Sequence, residues 1–337
     1  MRILFLCRRF YPDIGGVEKH VWEISLRLAK SGHKVMIVTQ SQNLQREVVL
    51  KNITIVRIPK NVQTKFQLWK WFWQNRYIIE DADIIHCHDV FYWYLPFRFI
   101  YPRKHVFTTF HGYESYPIKK KAIIVRKLSE LLSFGNICVG DFIKKWYYTK
   151  PTVVSYGAVD SSQFKTKTQK KKIFKESALF FGRLDVQTGI QTYNKAFEIL
   201  KKKYPKFRLL VVGDGKYRRF LANKIQVKGF QKNPEQYFEN YRFAFVSRYL
   251  SILEAFAAKR LVFAVYDNPV KEDYLRMTPF AKYMIIAKTP AELARKVQFF
   301  ITHPDLEKKL VEQAYTWVKK QSWSGMVNIY LRLWKST

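Results

Sequence analysis

Acidic residues and cysteine are the scarce groups in this 337-residue sequence. Only 26 aspartates and glutamates accompany 60 lysines and arginines, which leaves a formal net charge of +34. Such an excess predicts an anionic partner: nucleotide phosphates, nucleic acid or an anionic membrane surface. The three cysteines, Cys7, Cys87 and Cys138, lie far apart in apolar runs. We therefore expect reduced thiols in a cytoplasmic protein and no disulfide framework.

Long hydrophobic runs are also missing. No apolar stretch reaches the ~18–20 residues that a helix needs to cross a bilayer. The opening MRILFLCRRF places its arginine pair after the apolar run, the reverse of a secretory signal. Hydrophobic residues nevertheless make up 48% of the chain, enough to form the cores of two domains. We expect a cytoplasmic protein, peripheral at the inner face of the cell membrane.

Strands and helices alternate along residues 1–155, beginning with the strand RILFLC. Alternation of this kind predicts a parallel sheet that helices cover on both faces. Residues 156–175 are polar and basic without periodicity, so we predict an interdomain linker there. The alternation resumes over residues 176–321. The fold class is therefore α/β, with two doubly wound domains in tandem and ligands bound in the cleft between them.

The stretch Val246–Pro269 predicts a loop, a helix, a buried strand and a turn. The apolar helix positions that share the spacing of a core-facing side are Leu250, Leu253, Phe256 and Ala257. One carboxylate, Glu254, lies inside this apolar helix. It is either exposed on the far face, as most helix carboxylates are, or directed at a ligand.

Several segments, taken in order, carry a family resemblance. They are FYPDIGGVEKHVWEISLRLAKSGHKVMIVT at 10–39, DIIHCHD at 83–89, TTFHGYE at 108–114, VSYGAVDSSQF at 154–164, FFGRL at 180–184, VVGDG at 211–215, ILEAFAAKRLVFA at 252–264 and WSGMVNIY at 323–330. Together they resemble the retaining glycosyltransferases of family 4. The resemblance covers essentially the whole chain, and it implies the GT-B fold, two Rossmann-like domains facing across a cleft. It also implies that the last helix, about 322–337, crosses back to the N-terminal domain.

The resemblance implies an activity as well. Members transfer a sugar, with retention, from a nucleoside-diphosphate sugar to a glycan or lipid-linked acceptor. We expect a UDP- or GDP-linked donor as substrate and a role in cell-envelope polysaccharide or glycolipid synthesis. In the front-face mechanism usually described for the family, the leaving diphosphate takes the acceptor proton, so neither a metal nor another cofactor is expected.

The resemblance further implies site residues. His111 would lie beside the transferred sugar, Arg183 would contact the diphosphate, and Glu254 would accept hydrogen bonds from the ribose. These three form the predicted catalytic group. The predicted donor-binding residues are Gly16, Gly182, Arg183, Gly213, Gly215, Gly229, Phe230, Arg248, Tyr249, Leu250, Ser251 and Glu254. The predicted acceptor-side residues are Gly15, Gly16, His88 and His111.

The sequence departs from the family pattern at two places. The family's first glutamate is expected eight residues before Glu254, where this chain has Val246, and the loop Ser247–Ser251 is shorter than usual. In the donor pattern R-x-x-x-x-K-G, Thr188 replaces the lysine. We hypothesise that Arg248 supplies the missing positive charge.

Three basic, aromatic segments predict contact with an anionic membrane surface: 65–77, 91–104 and 116–128. The first is expected to form one helix, whose core-facing stripe would hold Leu68, Trp69, Phe72 and Trp73. Trp71 lies off that stripe and would face the membrane. A helix packed wholly into the core is the alternative.

Other interpretations stay open at this point. The run His86–His88 has metal-ligating residue types, but it lacks a spaced partner set, and no metal site is predicted. A GT-B protein that binds nucleotide sugars or glycans without catalysis would fit the missing glutamate and lysine. A nucleic-acid-binding protein would fit the charge alone.

Overall fold

The computed structural model describes the chain in two compact units. The described residues are 1–13, 15–40, 47–50, 52–164, 173–221, 223, 225–231 and 234–335. The first unit comprises Met1–Tyr156 and Trp323–Thr337, and the second comprises Gly157–Ser322. Eight of the predicted linker residues, 165–172, lie outside the described part.

The first unit is built on a sheet whose described strands follow the order β3-β4-β2-β1-β5-β6-β7-β8. The strands are β1 Arg2–Cys7, β2 Lys34–Thr39, β3 Glu47–Leu50, β4 Ile53–Arg57, β5 Ile84–His88, β6 His105–Phe110, β7 Gly135–Val139 and β8 Val153–Ser155. The helices are α1 Gly16–Lys30, α2 Lys65–Gln74, α3 Tyr77–Glu80, α4 Leu95–Ile100, α5 Lys120–Leu132 and α6 Phe142–Tyr147. All neighbouring pairs are parallel except β3 and β4, which are antiparallel. Apolar runs such as β1, buried on both faces, are typical of such sheets.

The second unit holds a parallel sheet with the strand order β11-β10-β9-β12-β13-β14. Its strands are β9 Phe174–Phe181, β10 Arg208–Val212, β11 Gln226–Val227, β12 Tyr241–Phe245, β13 Leu261–Val265 and β14 Ile285–Ala287. Its helices are α7 Ile190–Lys203, α8 Tyr249–Ala257, α9 Pro269–Arg276, α10 Pro290–Thr302 and α11 Pro304–Val318. The predicted α/β class with two Rossmann-like sheets is confirmed.

The last helix, α12 Trp323–Lys335, belongs to the first unit. It packs on α1, and Trp323, Tyr330 and Trp334 are buried there. Burial of three large aromatic rings accounts for its attachment, because such side chains dominate core energetics. The chain thus ends in the unit in which it began.

Three local predictions are corrected. The strand β9 begins at Phe174, inside the segment predicted as linker. The predicted loop Ser247–Ser251 is shorter still, because α8 already begins at Tyr249. The turn predicted after β13 opens α9 instead. Its N-cap Asn268 accepts a hydrogen bond from the Lys271 N–H, and Pro269 occupies the first turn.

The predicted single helix over 65–77 is also wrong. It divides into α2 and α3, and the side chain of Thr64 caps α2 together with Gln67. Trp71 is buried in the core, whereas Trp73 is 50% exposed. The stripe that packs inward is therefore Leu68, Trp71 and Phe72, one position round the helix from the predicted stripe. Within the described residues, none of the helices is long and apolar enough to span a membrane.

Candidate functional site

Two strand ends in the first unit bring His88 and His111 together. His88 closes β5, and His111 follows β6 directly; these strands are neighbours in register. The His88 Nδ1 and His111 Nε2 atoms lie 2.9 Å apart, a hydrogen bond between the two rings. The backbone N–H of His111 donates to both carboxylate oxygens of Asp89, at 3.1 and 3.2 Å. The carboxyl edge of the sheet therefore fixes both the backbone and the ring of His111.

A chain of buried polar contacts continues behind this pair. The Trp334 indole N–H donates to His86 Nδ1 at 3.1 Å, and His86 Nε2 lies 2.7 Å from Thr109 Oγ1. Indole is only a donor, so His86 Nδ1 is unprotonated and its Nε2–H donates to Thr109. The Tyr330 hydroxyl then joins Thr109, at 3.0 Å, to His20 Nε2, at 2.8 Å. Both ring nitrogens of His86 are thus used in interior hydrogen bonds, whereas the buried His88 Nε2 has no partner among the described residues.

Burial keeps these imidazoles neutral. Desolvation lowers the pKa of His20 to about 3. Desolvation, followed by neighbouring histidines, holds the pKa values of His86, His88 and His111 well below their usual range. A neutral imidazole can both donate and accept hydrogen bonds, as a sugar hydroxyl does. The edge suits a neutral polyhydroxyl group better than an anion.

A cavity of about 450 Å³ lies beside this edge, within the first unit. Its lining includes Asp89, Phe91, Phe110 and Arg126. The buried Arg126 donates to Glu114 Oε1 at 2.9 Å, and its guanidinium lies 3.8 Å from the centre of the Tyr147 ring. Asp89 and Arg126 were not among the predicted site residues. An arginine on an amphipathic helix is ordinarily solvated, and only the fold places it against a cavity.

The glycine pair Gly15-Gly16 lies at the start of α1. Gly15 is the N-cap, with extended backbone, and its carbonyl accepts the first intrahelical hydrogen bond from Lys19 at 3.0 Å. A Cβ on Gly15 would lie 2.4 Å from Glu18 Oε2. The structure therefore places this pair at a helix N-terminus, where backbone N–H groups favour anions or hydroxyl oxygens.

In the second unit, the predicted glycines line the carboxyl ends of β9 and β10. Gly182 N–H donates to Val212 O at 3.1 Å, and Gly213 N–H donates to Gly229 O at 2.8 Å. Gly213 has φ +147°, and a Cβ there would lie 1.9 Å from Gly182 O. Gly215 is similar, because its Cβ would lie 2.6 Å from Leu184 O. These glycines are required by backbone-to-backbone packing at the strand ends.

The turn between β9 and α7 carries Arg183 and Thr188. The Arg183 side chain is 52% exposed, and its Nε lies 3.3 Å from Asp185 Oδ2. Thr188 is buried, and its hydroxyl lies 2.7 Å from Arg183 O and 2.8 Å from Asp185 O. The Arg183 side chain is therefore accessible to a ligand. The Thr188 hydroxyl is instead used in hydrogen bonds within the turn.

The helix α8 buries Glu254, whose residue is 6% exposed. The exposed alternative for this carboxylate is therefore excluded. Tyr249 is directed inward, with its ring stacked 4.0 Å from that of Tyr274 and its hydroxyl donating to Tyr274 O. Arg248, just before the helix, donates from Nη1 to Gln187 Oε1 at 3.0 Å. The remaining predicted donor-binding side chains are half-buried at Leu250 and Ser251 and 55% exposed at Phe230.

Two family models match the chain in succession. Residues 14–160 match Glycosyltransferase Family 4, and residues 161–317 match Glycosyl transferases group 1. Together these models span residues 14–317, and they show that the chain is similar to family 4 glycosyltransferases. The first model falls mainly on the first unit, whose sheet edge carries His88 and His111 and is called the histidine edge below. The second falls on the second unit, whose sheet edge carries Gly182 and Gly213 and is called the glycine edge.

Named relatives share part of this chain. It is 26% identical over 232 residues to a subunit of the human phosphatidylinositol N-acetylglucosaminyltransferase, across 63% of this chain and 48% of that protein. It is 24% identical over 233 residues to the GDP-mannose:cellobiosyl-diphosphopolyprenol alpha-mannosyltransferase of Xanthomonas campestris, across 63% of this chain and 60% of that protein. The matched region thus spans about half the length of these relatives.

Solved structures resemble the chain over nearly its whole length. A glycosyltransferase from Rickettsia africae superposes with a TM-score of 0.76 at 19% identity, covering 99% of this chain and 98% of that one. Anabaena Alr3699/HepE, crystallised with UDP and glucose, gives 0.76 at 15% identity and covers 99% of both chains. WaaG, a glycosyltransferase of lipopolysaccharide biosynthesis, gives 0.68 at 15% identity, covering 97% of this chain and 99% of WaaG. These likenesses establish the GT-B fold.

Proposed function

We propose that the protein transfers a sugar, with retention, from a UDP- or GDP-linked donor to a glycan or lipid-linked acceptor. The observation that carries the proposal is the glycine edge of the second unit. There Gly182, Gly213 and Gly229 meet backbone to backbone beside the exposed Arg183. An exposed guanidinium group beside glycine backbone, which has no side chains in the way, suits a diphosphate, because arginine pairs with phosphate through charge-assisted hydrogen bonds.

Glu254 is assigned to the ribose of the donor. A carboxylate accepts hydrogen bonds only, so it complements a pair of ribose hydroxyls. Its burial on α8 supports a fixed orientation over a solvated surface role. Arg248, bonded to Gln187 on the turn before α7, is assigned to the diphosphate.

The histidine edge of the first unit is assigned to hydroxyl groups of the transferred sugar and the acceptor. His111 is held by Asp89 through its backbone and by His88 through its ring. The adjoining cavity of about 450 Å³ has room for part of an acceptor. Gly15 and Gly16 contribute the N-terminus of α1 to the same side.

Transfer in this proposal needs no protein nucleophile. The bond from the anomeric carbon to the diphosphate oxygen breaks, and a bond to the acceptor oxygen forms on the same face. The acceptor proton passes to the leaving diphosphate oxygen. The protein's contribution is positioning and stabilisation of the charge that develops on the diphosphate. We propose that this proceeds without a metal ion.

A peripheral position at the inner face of the cell membrane completes the proposal. The names of both relatives contain a lipid, phosphatidylinositol in one and diphosphopolyprenol in the other. Large apolar side chains are exposed on α4, on α5 and in the loop that follows, together with basic residues: Phe99 70%, Ile124 58%, Leu128 46%, Leu131 78% and Phe134 41%. Apolar groups among lysines and arginines favour an anionic lipid surface.

A thermal-shift screen against UDP-, GDP- and ADP-sugars tests the proposal. A ligand that binds only the folded state raises the melting temperature, so the successful compound names both base and sugar. Product analysis with that donor, with and without EDTA, then tests turnover, retention and metal independence. Donor binding without sugar transfer or donor hydrolysis would instead favour a non-catalytic nucleotide-sugar-binding protein. Salt-sensitive oligonucleotide binding with no response to any nucleotide sugar would favour a nucleic-acid-binding protein.

A further inference from the structure

A lysine is buried inside the second unit, and the described residues offer it no carboxylate at ion-pair distance. Lys271, on α9, is 2% exposed. Its ammonium donates to the Ser247 carbonyl and lies 4.0 Å from the centre of the Tyr274 ring. Among the described residues, no carboxylate forms an ion pair with it within 4.0 Å. A buried, unpaired ammonium costs free energy, so its presence calls for an explanation outside folding.

The lysine lies where ligands bind in open α/β sheets. It lines a cavity of about 80 Å³ together with Gly189 and Thr192 from the start of α7 and Val265 from the end of β13. One carboxylate residue, Asp267, also lines this cavity and opposes an anion there. One water requires roughly 10–15 Å³ of such volume, so the cavity has room for a larger group. A helix N-terminus and a lysine on one cavity both favour an anion.

A second cation is close to the first. Burial and then Arg248 lower the pKa of Lys271 well below its usual range, and Asp267 and Asp185 oppose this. Arg248 is itself bonded to Gln187, on the turn that holds Asp185 and Thr188. Like charges this near repel, and an anion between them removes the repulsion.

We propose that Lys271 binds the diphosphate of the donor, and thereby supplies from α9 the positive charge that the turn before α7 lacks at Thr188. The inference rests on the proposed function. Thr188 cannot substitute for it, because its hydroxyl bonds to the carbonyls of Arg183 and Asp185. Lys271, which donates to the Ser247 carbonyl, and Arg248, the next residue after Ser247, then act on the diphosphate as a pair.

Calorimetric titration with UDP, GDP and ADP tests the role of Lys271. Lys271→Met keeps the length of the side chain and removes the charge; Lys271→Gln also removes the charge but keeps an N–H donor for the Ser247 carbonyl. Both variants should bind the preferred nucleoside diphosphate about 10-fold or more weakly than the unmodified protein, because charge-assisted hydrogen bonds are strong. Lys201→Met is the matched control. Lys201 also donates to a backbone carbonyl, that of Phe207 at 3.0 Å, but from the far end of α7.

The melting temperature separates a binding role from a structural role. Removal of a buried, unpaired charge should leave the melting temperature of Lys271→Met unchanged or higher, while affinity falls. Either variant, folded and binding the diphosphate within about twofold of the unmodified protein, would overturn the inference. If only Lys271→Met loses affinity and its melting temperature drops, the role is structural and the inference fails. If the unmodified protein binds none of the three diphosphates, the proposed function itself fails first.

Discussion

The two candidate sites differ in the polar groups that they present at the carboxyl edge of the sheet. The edge of the first unit is made of neutral side chains: His88, His111 and the buried chain from His86 to His20. The edge of the second unit is made of bare backbone at Gly182 and Gly213, with cations beside it. Neutral imidazoles suit hydroxyl groups, whereas backbone and cations suit phosphates. The contrast matches an acceptor side and a donor side in the proposed reaction.

Acidification should produce the largest difference in stability between the two units, because only the first unit depends on neutral buried histidines. His20, His86 and His88 are 2%, 0% and 1% exposed, and their folded pKa values lie below the unfolded value of 6.5. Below pH 6.5 these histidines therefore bind protons in the unfolded chain but not in the folded unit. The free energy of unfolding of the first unit consequently falls as the pH drops below 6.5. For His20 the loss continues to about pH 3. Each histidine should cost about 1.4 kcal/mol per pH unit in this range.

Peptide-resolved hydrogen exchange, corrected for the intrinsic pH dependence of exchange, measures that effect. Protection in the first unit should fall steeply between pH 7 and pH 5. The second unit contains one histidine, His303, which is exposed, and its protection should change less. Equal loss of protection in both units would contradict the account of the histidine edge.

Gly213→Ala should produce the next largest effect. The new Cβ would lie 1.9 Å from Gly182 O, at a φ of +147° that alanine rarely adopts. Backbone strain and overpacking together should lower the free energy of unfolding by about 3 kcal/mol or more. Gly112→Ala is the control, because nothing lies within 4 Å of a Cβ there. Urea unfolding that gives both variants the same stability would remove the packing argument for the glycine edge.

Arg183→Ala tests whether the glycine edge of the second unit binds an anion. The variant should weaken donor binding by about 1.5–3 kcal/mol, the range for hydrogen bonds to charged groups, with little change in stability. Arg276→Ala is matched to it, because Arg276 is 54% exposed, pairs with Glu272 and lies in the same unit. Calorimetry with the donor should separate the two variants, and identical affinities would place the diphosphate elsewhere.

The exposed apolar surface of α5 should give the smallest effect. Leu131→Gln should weaken binding to anionic vesicles by about 1–2 kcal/mol, because partial burial of a leucine contributes that much. Phe220→Gln, at a residue 55% exposed in the second unit, should leave vesicle binding unchanged. Co-sedimentation at low salt measures both. No binding of the unmodified protein would remove the membrane proposal.

The sequence predicted the sheets well, because buried parallel strands are unbroken apolar runs, as in Leu261–Val265. The opening of α9 was missed for a chemical reason. Asn268-Pro269 is equally good at starting a turn and at capping a helix, and local residues cannot separate the two. In α2, aromatic residues lie on several sides of the helix, so two adjacent stripes are both compatible with helical periodicity. Only packing in the folded unit determines that Trp71 is buried.

The candidate sites were harder to predict than the fold. Glycines at strand ends are visible as motifs, and the VVGDG motif places Gly213 and Gly215 just after a strand; their role in donor binding stays a prediction. The contact between His20 and Tyr330 joins residues 310 positions apart, which no local pattern encodes. Lys271 has Tyr274 and Leu275 on its side of α9, three and four positions on, and that spacing was the available signal of burial. A lysine in a short polar helix is ordinarily exposed, which hid it.

The central claim is that the second unit binds a nucleoside-diphosphate sugar with Glu254 on the ribose. Titration of the donor from the thermal-shift screen into the unmodified protein and into Glu254→Gln tests it most directly. The unmodified protein should bind one donor molecule per chain, and the variant should bind it about 10-fold more weakly, since an amide replaces a charged acceptor. No binding by the unmodified protein, or equal affinity in the two, would contradict the claim.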